Sequence, residues 1–202
     1  MSDASPRRGL PWFARWLHCY VSTIGFFVFV FFGATGLTLN HADWFESGEP
    51  VTREARGTFD PAWLARGEGE ERVAKLAIVE RLRAEHGVRG AVSEFRIDEE
   101  QCVVVFKGPG YSADAFVDRA GGGYELTETH KGVVAVLDDL HKGRDSGAAW
   151  AFVVDAAAII TVVCGITGLW LLWYVKRRRR LGLVLALLGA VLPAVAWAGF
   201  VP

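Results

Sequence analysis

The chain has 202 residues, 51% of them hydrophobic and 22% charged, with a formal net charge of −1. That charge is segregated: long uncharged runs alternate with charged stretches, a pattern foreign to an ordinary soluble domain. The single basic cluster, KRRRR at 176–180, is short and flanked by apolar runs, which excludes nucleic-acid binding in favour of a topology signal.

Residues 19–39, 156–175 and 181–202 carry no charge. Each run reaches the roughly 20 residues needed to span a bilayer. Transmembrane helices are therefore expected over 14–40, 148–175 and 181–200. The first run exceeds the ~7–15-residue apolar region of a secretory signal and lacks a clear cleavage site, so it reads as an uncleaved anchor. Arg7, Arg8 and Arg15 precede it. The positive-inside rule puts this tail (1–13) and the 176–180 loop in the cytoplasm. Residues 41–147 and the C-terminus then lie outside. Within 42–147 there are 21 acidic and 14 basic residues, a net charge of −7.

The exported segment opens with ADWFESGEPVTREARGTFDPAW, polar and expected to be irregular. GEGEERVAKLAIVERLRAEHG follows, with apolar residues at 73, 76, 77, 79 and 82. This is helical spacing, and Gly87 closes it. AVSEFRID, QCVVVFKGPG, YSADAFVDRAGG and GYELTETH then read as about four antiparallel strands separated by turn residues. The expected fold is three membrane helices plus a small exported α+β domain, whose small core should lean on the membrane helices. KGVVAVLDDLHKGRDSG reads as a helix feeding the second span. Cys19, Cys102 and Cys164 fit no disulfide or CxxC framework and are expected to be buried thiols.

GATGL at 33–37 is echoed by GITGL at 165–169, and a Leu-His pair precedes each, at 17–18 and 140–141. The helices run in opposite directions, so this reads as a degenerate inverted repeat. Such Gly pairs also serve simply for close helix packing. Eight residues after the first glycine stand His41 in one unit and Trp173 in the other.

On this topology His41 and His141 share the outer end of neighbouring antiparallel helices. Two facing imidazoles are what a six-coordinate b-type haem requires. Phe31, Phe32, Trp44 and Trp150 would line its slot, and Lys142 and Arg144 would meet its propionates. His41 and His141 are thus the candidate metal ligands. His18, at the inner end, faces Trp173 in this alignment and lacks a partner unless a second copy in a homodimer supplies one. The same histidines also fit interfacial capping. Zinc is less well served, with His130 as the one further ligand; His86 is expected at the surface. Asp155 lies about two turns into the second span, as a clasp for Thr35 or Thr38 or as a proton relay.

RWLHCYVSTIGFFVFVFFGATGLTLNHADWF and VLDDLHKGRDSGAAWAFVVDAAAIITVVCGITGLWLLW resemble the PepSY-associated transmembrane proteins of bacteria. The helix-plus-strands segment is similar to their PepSY domain. The resemblance implies a bacterial inner-membrane protein whose exported α+β domain is periplasmic, and a relation to larger ferric-siderophore reductases, which hold b haems between membrane histidines and help release imported iron. Carried onto this chain, it implies His41 and His141 as haem ligands, with His18 as a further candidate. It also implies a membrane quinol or redox partner as electron donor and a ferric siderophore as acceptor. No flavin or nicotinamide motif is present in the sequence. The chain departs from the larger relatives in having three helices, one PepSY segment and Trp173 at the fourth ligand position. If it is an enzyme, it is a haem-dependent ferric reductase, with no side chain assigned a catalytic role. The alternative is a membrane-anchored PepSY binding or regulatory module without haem.

Overall fold

The computed structural model describes residues 9–45, 49–64 and 73–201. Arg7 and Arg8 of the expected basic tail, and the first residues of the expected GEGEER helix, lie outside the described residues. The chain forms two compact units, Met1–Phe31 with Asp155–Pro202, and Phe32–Val154.

The first unit is built on three helices, α1 (Leu10–Asn40, of which residues up to Phe31 belong here), α5 (Gly147–Tyr174) and α6 (Arg179–Phe200). All three are long and apolar enough to cross a membrane. At about 1.5 Å per residue, 31-residue α1 is about 46 Å long, well over a hydrocarbon core of about 30 Å. Near its start, Trp12, Phe13, Trp16 and Tyr20 form a ladder of rings 5.3–6.3 Å apart around Arg15, an arrangement suited to a headgroup layer. Among the described residues Ala14, Gly25, Ala157, Cys164 and Thr167 are buried here. Cys19 is exposed, contrary to the expectation for it, because its turn of α1 faces outward. Gly25 lets α5 approach closely: a Cβ there would come within 2.5 Å of Ile160 Cγ2. Gly25→Leu is therefore expected to part α1 from α5 and to lower the melting temperature in detergent by several degrees, measurable by light-scattering thermal scans.

The second unit is an antiparallel sheet with a helix on one face. Its strands are β1 (Val51–Thr58), β2 (Ala91–Ile97), β3 (Gln101–Gly108), β4 (Tyr111–Asp118) and β5 (Gly123–His130), in the order β1-β5-β4-β3-β2. Five strands are present where four are legible. The extra one, β1, comes from the stretch expected to be irregular and pairs with β5 from Val51↔His130 to Thr58↔Gly123.

Helix α3 (Lys75–His86) ends on Gly87 at φ 71°, as expected, but buries Ile78, Val79 and Leu82 and leaves Leu76 exposed. With Val104, Phe106, Val117, Tyr124 and Leu126 these residues form the core. No residue of α1 or of α4 (Val133–Lys142) belongs to that cluster, so among the described residues the sheet closes its own core rather than leaning on those helices.

Two phenols brace the core face. Tyr111 donates to Glu128 (2.6 Å), and Tyr124 donates to Glu85 (3.0 Å). Glu85 is itself held below the usual carboxylate range by Arg81 and then by Tyr124. Burial, then the carboxylate each phenol serves, pushes both tyrosines up to about 12. Two of the four tyrosines should thus ionise near pH 12 rather than 10 in a tyrosinate absorbance titration. Because the folded state favours the neutral phenol, their stabilisation is complete below about pH 10 and is lost as pH rises towards 12.

Candidate functional site

His141 stands in the last turn of α4, a separate ten-residue helix and not the start of the second span. Gly143 at φ 66°, Asp145 at φ 54° and Gly147 at φ 77° break the chain between α4 and α5. Two contacts fix α4. Asp139 accepts the Gly110 N–H (2.9 Å), and Gly110 at φ 64° has no Cβ to obstruct Val136. Trp150 clamps the other end, its Nε1–H donating to the Leu140 carbonyl (2.8 Å).

The C-terminal end of α1 lies along α4. Nδ1 of His141 is 2.6 Å from Thr35 Oγ1, and Thr38 donates to Asp138 (2.7 Å). Three residues forward on α1 match three back on α4, so the two segments are antiparallel. The His141 imidazole rests over Gly36, where a Cβ would lie 3.5 Å from Cε1. Phe32 closes one side, its ring centroid 5.0 Å from the imidazole.

Within the other unit the same seat recurs. Nδ1 of His18 is 2.9 Å from Thr167 Oγ1, and a Cβ on Gly168 would lie 3.3 Å from His18 Cε1. Thr167 donates its own proton to the Val163 carbonyl (2.7 Å), so it accepts from His18 Nδ1–H. In the neutral imidazole this tautomer makes Nε2 the acceptor. Each Leu-His histidine thus meets the threonine and second glycine of the opposite Gly-x-Thr-Gly-Leu motif. Residues 35 and 167 are equivalent positions of the repeat, as are 41 and 173, and it is the first pair that the Leu-His histidines meet.

His41 is held differently. It lies just past α1, about 9 Å further along the axis than Thr35 and about 120° around it. Its ring stacks on Trp44 (3.8 Å, 12°), and its Nε2 is 3.3 Å from Asn40 Nδ2. Trp173 lies under the Arg179 guanidinium at 5.0 Å. Lys142 and Arg144 are exposed beside His141. A cavity of about 740 Å³ opens between α2 (Ala42–Phe45) and α4, with Asp138, Asp139 and Lys142 in its wall. Asp155, foreseen as the acceptor for Thr35 or Thr38, is exposed on α5; Asp138 takes the Thr38 proton instead.

In the sheet unit, His86 Nε2 is 2.7 Å from the Tyr124 hydroxyl, and the His130 ring packs on Tyr111 at 5.0 Å. The residues that sequence reasoning missed are Thr167, Asp138 and the two imidazole-seating glycines. Their signal was the echoed motif itself.

No curated protein and no solved structure matches the chain. A family model described as PepSY_TM-like matches residues 12–202, nearly the whole chain and both units. The three apolar helices, the antiparallel sheet unit and that match agree, and the chain belongs to the PepSY-associated transmembrane family.

Proposed function

We propose that the protein is a bacterial inner-membrane b-type haem protein that reduces ferric iron, held by a siderophore, in iron acquisition. The observation that carries this reading is the seat of His141. Its Nδ1 is taken by Thr35 at 2.6 Å, which turns Nε2 outward as a metal-ligating imidazole requires. His41, in the same unit, would be the second iron ligand, giving up its 3.3 Å contact with Asn40. Lys142 and Arg144 would offer cations to the propionates, and Phe32 an apolar wall. Haem bound there supplies a one-electron donor whose potential the protein tunes. His18 has the same built seat, and its second ligand would come from another copy of the chain. A membrane quinol or a redox partner would deliver the electrons, with the basic ends of the helices cytoplasmic and the sheet unit periplasmic.

The test is Fe(II) trapping. Purified protein, reduced with dithionite and desalted, is mixed anaerobically with a ferric hydroxamate and an Fe(II)-specific chelator. Fe(II) in proportion to haem is expected; none would contradict reductase activity. The second reading, a binding module without haem, draws on the self-contained core of the sheet unit. It expects His41→Ala to leave ligand binding unchanged and no chromophore to be present.

A further inference from the structure

Alternation along paired strands places Val51, Arg53, Ala55 and Gly57 of β1 on the same face as Tyr124, Leu126, Glu128 and His130 of β5. Tyr111, opposite His130, shares that face with buried Ala113, Ala115 and Val117. It is the core face, on which α3 packs. Binary patterning calls for apolar side chains at all these positions. Positions 53, 128 and 130 break the rule with Arg, Glu and His, and they lie beyond the C-terminus of α3. Where a local rule fails without a structural return, a binding role is the usual cause.

The result is a cleft of about 520 Å³ lined by Val51, Arg53, His86, Arg89, Tyr111, Glu128 and His130. Its donors are unused. Among the described residues neither the Arg53 nor the Arg89 guanidinium has a hydrogen bond or ion pair, and both are exposed. The His130 ring lies tilted against Tyr111 and, among the described residues, has no hydrogen bond. Glu128, the one acid in the lining, already accepts the Tyr111 hydroxyl at 2.6 Å. Residues 42–147 carry a net charge of −7, so two arginines and a histidine lining one cleft with a single, already engaged acid stand against the sign of the segment as a whole.

We propose that this cleft binds an oxyanion, a phosphate or carboxylate group forked between Arg53 and Arg89, with His130 as a third donor. Planar guanidinium forks match such groups in pairs of hydrogen bonds. A water-soluble polyanion and a phospholipid headgroup share this chemistry. The second is within reach, because β1 begins just after α2 and β5 ends just before α4.

The full chain in phosphatidylcholine nanodiscs is titrated calorimetrically with citrate and with pyrophosphate. In parallel, native mass spectrometry measures retention of phosphatidylglycerol over phosphatidylcholine. The variants are Arg53→Gln, Arg89→Gln, their double and Arg56→Gln, a control on the opposite face that pairs with Glu125 at 2.9 Å. Protection of buried Cys102 from alkylation verifies folding in each. Saturable binding of either soluble probe, weakened at least tenfold by each cleft substitution and unchanged in the control, supports a soluble ligand. Selective phosphatidylglycerol retention, lost in the double variant, supports the headgroup. Absence of both, or binding that survives the double substitution in folded protein, overturns the proposal.

Discussion

His141→Ala is expected to abolish the b-type absorbance of the purified protein, while Thr35→Val weakens haem binding without abolishing it. The first change removes a ligand. The second leaves the ligand and frees its far nitrogen, so the imidazole can rotate and take the wrong tautomer. Loss of such an orienting partner typically costs about 10–100-fold in metal affinity. Gly36 adds a graded control. A Cβ there would sit 3.5 Å from His141 Cε1, an ordinary contact, so Gly36→Ala should bind haem normally. Gly36→Leu should push the ring off its seat. Haem titration of apoprotein, followed by absorbance, gives all four results. Equal affinity in Thr35→Val and wild type would show that the seat does not orient a ligand.

Phe106→Ala should unfold the sheet unit far more readily than any surface change. Phe106 is fully buried on β3 among Val104, Ile78 and Leu82. Phe→Ala in such a setting costs about 3–5 kcal/mol through lost burial and the cavity left behind. Cys102, on the same strand, reports this directly: it is buried, and burial pushes its thiol up, so it alkylates chiefly when the unit opens. In a Cys19→Ala, Cys164→Ala background, labelling of Cys102 should rise about 10²–10⁴-fold in Phe106→Ala. A rise under fivefold would mean that Phe106 is not a core anchor.

The spans were legible because uncharged runs of this length have few alternative readings in water. Two elements were not. β1, VTREARGT, hides its alternation because one face is solvent-exposed and the other carries Arg53 into a polar cleft; Ala55 and Gly57 alone meet the core. The histidine seats were half legible. The GATGL and GITGL echo pointed to two helices and to the Leu-His pairs, but not to the threonines those histidines meet. Which residue His141 meets depends on where α4 stops, and the positive φ at Gly143 and Asp145 detaches it from α5. His141 meets Thr35 and, within the other unit, His18 meets Thr167, six residues before His41 and Trp173 respectively. Asp138 was invisible for the same reason, since its role follows from the register of α4 on α1.

The most direct measurement is a dithionite-reduced minus air-oxidised absorbance spectrum of detergent-purified protein expressed with ample haem, in wild type, His41→Ala, His141→Ala and His18→Ala. One outer bis-histidine site predicts a sharp b-type α-band that is lost in the first two variants and kept in the third. A wild-type spectrum without that band would contradict haem binding and leave the sheet unit as the functional part of the chain.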